Sequence, residues 1–164
     1  MILDGSLQKA QKLLEHCEAA GLRIVTVESC TGGLLAGCLT AVPGSSAVVE
    51  RGYVTYSNEA KAEEVGVDPA LIAAHGAVSG EVAAAMAEGA LKTSPAELSA
   101  SVTGVAGPGG GTDVKPVGLV FIGVARKKGS TVVEECRFPG DREAVRAASV
   151  EKALDMLLKL VEGH

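Results

Sequence analysis

The spacing of apolar and polar positions changes period repeatedly along the chain, and each change marks an element. Residues 4–20 place Leu7, Ala10, Leu13, Leu14 and Cys17 on one face at helical spacing, with Ser6 the expected N-cap and Gly21 the stop. Ile24, Val25 and Val27 then form a short β-branched run, so 23–28 reads as a buried strand. The run stops at Glu28-Ser29. After Cys30, Thr31, Gly32 and Gly33, residues Leu34, Leu35, Ala36, Cys38 and Leu39 resume a helical pattern, predicting a helix over 31–41. Val42-Pro43-Gly44-Ser45-Ser46 is a turn. Residues 47–56 read as a strand in which Gly52 signals a bulge or a close approach. Ser57-Asn58 caps a short helix at 59–65, Asp68-Pro69 opens another at 69–74, and Ser79 caps a third over 80–92. Strands follow at 97–103, where Leu98, Ala100 and Val102 alternate, and at 117–125 and 131–138, a hairpin around Lys127-Lys128-Gly129-Ser130. A final helix runs over 141–161, with Asp141 its cap and Val150, Leu154, Leu157, Leu158 and Val161 its buried stripe.

The predicted order is therefore α-β-α-β-α-α-α-β-β-β-α. Helices between strands cover a sheet on both faces, and the late hairpin forces at least one antiparallel pair. The expected architecture is α/β, a three-layer α/β/α sandwich with a mixed, mostly parallel sheet, in one domain spanning residues 1–164.

Composition narrows this picture. Apolar residues make up 47% of 164 positions and charged residues 21%, enough for a real core. Aromatics are only 2% and Trp is absent, so that core must be aliphatic. A net charge of −5 with no basic face and no aromatic platform argues against nucleic acid as partner. No apolar run reaches the about 20 residues of a membrane span, and the start has no leader pattern, so a cytoplasmic location is expected. The four cysteines (Cys17, Cys30, Cys38, Cys136) form no C-x-x-C and read as small buried hydrophobes. His16, His75 and His164 are scattered, no metal-ligand spacing occurs, and no cofactor is expected. Abundant alanine suggests a small homo-oligomer, a dimer or trimer.

Three stretches at predicted strand ends could carry chemistry. The first is Glu28-Ser29-Cys30-Thr31-Gly32-Gly33, a strand-to-helix bend. Ser29 reads as a reacting hydroxyl or as a helix cap, Thr31 is the other cap candidate, and Cys30 offers a thiol as alternative nucleophile. The second runs from Thr55 to Lys61. Lys61 falls in the first turn of a helix, where the dipole disfavours an ammonium and burial lowers its pKa further. It is either a base or an exposed lysine opposite Glu59 or Glu64. Tyr56 is either a hydrogen-bond donor to the site or a strand aromatic reaching solvent. Ser–Lys pairing is an established alternative to Ser-His-Asp, and backbone N–H groups near Gly32 and Gly33 could receive an oxyanion. The third stretch, 103–118, holds six glycines. It is neither a Walker A loop, since Gly110 stands where Lys is needed, nor a dinucleotide fingerprint, and reads as a ligand cradle or a connecting loop. Lys115, Arg142 and Arg146 are the cations available to a phosphate, or else solvated.

Taken together, Glu28-Ser-Cys-Thr-Gly-Gly33, Gly52-Tyr-Val-Thr-Tyr-Ser-Asn-Glu-Ala-Lys61, Gly76-Ala-Val-Ser79, and Thr103-Gly-Val-Ala-Gly-Pro108 with Lys115-Pro-Val-Gly118 resemble the CinA C-terminal domain. The resemblance spans residues 5–161, and some members are stand-alone nicotinamide-nucleotide amidohydrolases of the PncC type. It implies a three-layer α/β/α fold and hydrolysis of the carboxamide of nicotinamide mononucleotide to nicotinate mononucleotide and ammonia. It implies Ser29 as nucleophile with Lys61 and Tyr56 as activating partners. Substrate-binding positions are expected at Glu28, Thr31, Gly32, Gly33, Asn58, Thr103, Gly104, Ala106 and Gly107, with Arg142 or Arg146 at the phosphate. Two-domain members carry a further N-terminal domain, and a regulatory nucleotide-binding module of the competence or damage-inducible type is the alternative.

Overall fold

The computed structural model describes residues 3–162, so His164 and the first two residues of the start lie outside it. The elements are α1 (Asp4–Ala20), β1 (Ile24–Glu28), α2 (Leu34–Thr40), β2 (Val49–Val54), α3 (Asn58–Val65), α4 (Pro69–His75), α5 (Gly80–Lys92), β3 (Leu98–Gly104), β4 (Leu119–Arg126), β5 (Thr131–Arg137) and α6 (Arg142–Val161), with a short 3₁₀ turn at Ser45–Ala47. Their order is the one predicted. The sheet order is β2-β1-β3-β4-β5. Strands β2, β1 and β3 are parallel neighbours, and β4 runs antiparallel to both β3 and β5. Four strands thus point one way and one the other, which makes the sheet mixed and mostly parallel in strand direction.

Two apolar layers sandwich it. Helices α1, α2 and α6 bury Leu13, Leu14, Leu35, Leu39, Leu154 and Leu157 against one face. Helices α3, α4 and α5 bury Val65, Ile72, Val82, Met86 and Ala90 against the other, around Val25 and Val27 of β1. Each such Val, Leu, Ile or Met side chain contributes about 1.5–3 kcal/mol when fully buried. β3 divides its residues between the layers. Leu98, Ala100 and Val102 join the α1/α6 side. Ser99, Ser101 and Thr103 face α5, all within 1% of full burial. Their hydroxyls donate to the carbonyls of Ala87 at 2.7 Å, Ala83 at 2.6 Å and Ala77 at 2.8 Å. Gly123 on β4 permits that close packing, because a Cβ there would lie 2.9 Å from the Ala83 carbonyl oxygen.

The predicted caps at Ser57, Asp68, Ser79 and Asp141 all accept from the N–H groups expected of them. Ser6 does not cap: α1 starts earlier, with Leu3 at the N-cap position and packed into the core, so Ser6 sits buried inside the first turn. Nor does Thr31. Gly32 and Gly33 take φ of +57° and +106°, so α2 begins only at Leu34 and Thr31 lies too far upstream. The bare end of α2 is capped by Glu28, whose carboxylate accepts from Leu35 N at 2.8 Å and Ala36 N at 3.1 Å. Gly52 marks the close approach read from the sequence, since a Cβ there would lie 2.8 Å from Thr26 Oγ1.

Candidate active site

The carboxyl ends of β1, β2 and β3 share one edge of the sheet, as their parallel pairing requires. From β1 the chain crosses through α2 to β2 on one side, then returns through α3–α5 to β3 on the other. Such a reversal leaves a crevice at the strand ends where ligands bind in open α/β sheets. A cavity of about 340 Å³ occupies it, lined by Ser29, Cys30, Tyr56, Asn58, Lys61, Ala77, Val78, Arg142 and the start of the glycine-rich loop from Thr103 through Gly110.

Ser29 leaves β1 with its N–H still paired to the Val102 carbonyl at 2.9 Å, so the strand fixes the base of the turn. Its hydroxyl faces Lys61. Lys61 is 1% exposed, which overturns the reading of an exposed lysine beside Glu59 or Glu64. Its Nζ donates to the Thr55 carbonyl at 2.9 Å, to the Ser57 carbonyl at 3.5 Å and to Ser29 Oγ at 3.3 Å. Burial pushes the Lys61 pKa down from its ordinary 10.5, with the neighbouring Cys30 acting weakly in the opposite direction. In its neutral form the amine has two N–H groups for the two carbonyls and one lone pair for the Ser29 O–H. The same three contacts therefore suit a base waiting for a proton and the ammonium that has received it.

The other predicted residues divide. Tyr56 lines the cavity but is 62% exposed, and its Oη accepts from Arg142 Nη2 at 3.4 Å rather than contacting Ser29 or Lys61. Arg142 also donates through Nη1 to the Gly107 carbonyl at 2.8 Å, bridging the loop to Tyr56 across the mouth. Asn58, Thr103, Gly104, Ala106 and Gly107 line the cavity. Glu28, Thr31, Gly32, Gly33 and Arg146 do not. Glu28 and Thr31 are fully buried, and the Glu28 carboxylate is committed to α2. The Gly32 N–H closes the turn onto the Ser29 carbonyl at 3.0 Å, so it has no hydrogen left for an oxyanion. Arg146 holds the carbonyls of Cys30 and Thr31. Cys30 borders the cavity, but burial pushes its thiol up to about 11, which removes the thiolate a nucleophile needs at neutral pH. Among the described residues no group of three or more His, Cys, Asp or Glu could hold a metal ion.

Ala77 and Val78 are the lining residues that received no role from the sequence. The available signal was Gly76, whose φ of +80° turns the chain back toward the site between α4 and α5.

Residues 6–161 match the family model of the CinA C-terminal domain. The CinA-like protein of Mycobacterium marinum is 54% identical over 138 residues, which make up 84% of this chain and 32% of that protein. The chain spans about a third of the length of the curated relatives it matches. Among solved structures, the competence/damage inducible protein CihA from Agrobacterium tumefaciens superposes with a TM-score of 0.92 at 45% identity, covering 94% of each chain. The competence-damaged protein (CinA) superfamily protein from Escherichia coli does so with a TM-score of 0.89 at 36% identity, covering 98% of this chain and 90% of that one.

Proposed function

The chain belongs to the CinA C-terminal domain family, and we propose that it is a serine amidohydrolase that converts nicotinamide mononucleotide to nicotinate mononucleotide and ammonia. The observation that carries this reading is the 3.3 Å contact between Ser29 Oγ and the buried Lys61 Nζ at the head of the cavity. Ser29 attacks the carboxamide carbon while its proton passes to the neutral Lys61 amine. The tetrahedral oxyanion collapses, the C–N bond breaks, and protonated Lys61 gives its proton to the departing ammonia. The resulting ester is attacked by water, whose proton Lys61 takes and then returns to Ser29 as the carboxylic acid leaves. Tyr56 stands at the mouth rather than in the proton path, where its ring can cover the pyridine. Arg142 is the phosphate partner, because its guanidinium already lies at the mouth and its present acceptors are exchangeable.

A nucleotide-binding module without turnover is the competing reading, and the names of the relatives, which record competence and damage induction, describe no chemistry. The two separate by experiment. Incubation with nicotinamide mononucleotide is expected to yield ammonia and nicotinate mononucleotide in equal amounts. Tight binding by calorimetry with no product over hours would sink the enzymatic reading. A panel of other carboxamide nucleotides tests the substrate. Faster release of ammonia from one of them would replace it.

A further inference from the structure

Arg146 lies beside the site and outside the cavity. It projects from the second turn of α6, and its guanidinium reaches the back of the nucleophile turn: Nε donates to the Cys30 carbonyl at 3.1 Å and Nη2 to the Thr31 carbonyl at 3.2 Å. Gly32 serves this turn through its left-handed φ of +57°; a Cβ there would meet Nη2 at 3.5 Å, an ordinary contact distance. The turn itself is two overlapping i→i+3 turns, with Gly32 N–H on the Ser29 carbonyl at 3.0 Å and Leu34 N–H on the Thr31 carbonyl at 3.0 Å. The second turn passes through Gly32 and Gly33, both left-handed, so the chain folds back before α2 begins. A trans peptide directs its N–H opposite its C=O, so whatever holds the Cys30 carbonyl also fixes where the Thr31 N–H points. Of the two residues that follow Ser29 in this turn, Cys30 lines the cavity and Thr31 is fully buried.

We infer that Arg146 is a positioning residue for acyl transfer: it grips the carbonyls of the nucleophile turn and so fixes Ser29 and the Cys30 peptide at the cavity where the carboxamide arrives. The grip acts on geometry and on electronics. A cation on a carbonyl polarises the peptide and strengthens its N–H as donor, here Gly32 for the bond that closes the turn onto the Ser29 carbonyl. This inference rests on the reading of Ser29 as nucleophile. It assigns to Arg146 a role different from phosphate contact, which stays with Arg142.

The test compares Arg146→Ala, Arg146→Lys and wild type in two assays. One is steady-state hydrolysis of nicotinamide mononucleotide. The other is phosphonylation of Ser29 by a small alkyl fluorophosphonate, which needs the nucleophile and its oxyanion donors but no nucleotide recognition. Removing one oxyanion donor outright costs about 10²–10³ in kcat, and mis-aiming one costs less. Arg146→Ala is therefore expected to lower kcat about tenfold to a hundredfold, with KM within about threefold, and to slow phosphonylation in parallel. Arg146→Lys, which keeps the charge without the two-pronged grip, is expected to recover only part of either rate, and it carries the test if the alanine variant does not fold. A raised KM with unchanged kcat and unchanged phosphonylation would overturn the inference and make Arg146 a substrate contact. Slow phosphonylation of the Arg146 variants, with no hydrolysis of the nucleotide by wild type, would sink the substrate and leave the positioning role standing. Wild type inert to both reagents would remove the serine reading and this inference with it.

Discussion

Lys61 gives the residue scale its sharpest expectation. Its pKa lies below the ordinary 10.5 because the folded chain removes water from the ammonium. Only the neutral amine accepts the Ser29 proton, so kcat/KM should rise with pH through that depressed pKa and then level off. Lys61→Met should abolish turnover, and Lys61→Arg should not restore it, since a guanidinium does not deprotonate. Stability follows the same linkage. The unfolded chain binds this proton more tightly than the folded one, so wild type loses stability relative to Lys61→Met as pH falls from 10.5 through the folded pKa, and the gap is constant below it. Parallel thermal melts of both proteins across alkaline pH would expose this slope, and a constant difference would contradict it. Cys30 makes a second check. Its pKa near 11 and its burial predict slow alkylation by iodoacetamide in the native protein at pH 7, with fast labelling only after unfolding. The sequence made Lys61 visible through its place at a helix start. It could not reveal that the carbonyls of Thr55 and Ser57 would converge on Nζ, because those acceptors belong to the backbone and carry no residue signature.

At the scale of elements, the cap of α2 is the feature the sequence hid. A carboxylate six residues before the first helical residue lies outside the usual capping spacing, and it reaches the helix only because two left-handed glycines fold the turn back. Hydrogen bonds to a charged group are worth about 1.5–3 kcal/mol, so Glu28→Gln should lower the unfolding free energy by a sizeable part of that, read from urea midpoints at unchanged slope. β3 shows a related limit. Its alternation of Leu98, Ala100 and Val102 with Ser99, Ser101 and Thr103 has the pattern of a strand with one wet face, yet both faces are dry. The hydroxyls are satisfied by backbone carbonyls, those of Ala87 and Ala83 in α5 and that of Ala77 in the link before it, a pairing that no periodicity encodes. Ser101→Ala should cost about 1 kcal/mol. Ser101→Val should cost more, because the added methyls meet α5 at a place where Gly123 already marks the closest packing. By contrast, the caps at Ser57, Asp68, Ser79 and Asp141 were legible, since each is a local contact between a side chain and an N–H two or three residues on.

At the scale of the whole molecule, the order of elements and their layering followed from helical and strand periods alone, while the meeting of three distant stretches depended on the strand order, which the sequence left open. The reversal of the chain around β1 brings residues 29, 61 and 103–110 to one crevice. The glycine-rich loop is held over it by two cations, Arg142 on the Gly107 carbonyl and Lys115, whose Nζ donates to the His75 carbonyl at 2.7 Å, at the end of α4. Lys115→Ala should free the loop, raising amide hydrogen exchange across 106–118 and increasing KM several-fold with little change in kcat, since Lys115 touches neither Ser29 nor Lys61. No helix among the described residues is long and apolar enough to cross a membrane. The central claim remains that this architecture exists to pair Ser29 with a neutral lysine. Ammonia release from nicotinamide mononucleotide by wild type and by Ser29→Ala tests it most directly. The account predicts steady turnover by the first and a loss of roughly 10³-fold or more in the second. Turnover by Ser29→Ala close to that of wild type would contradict it.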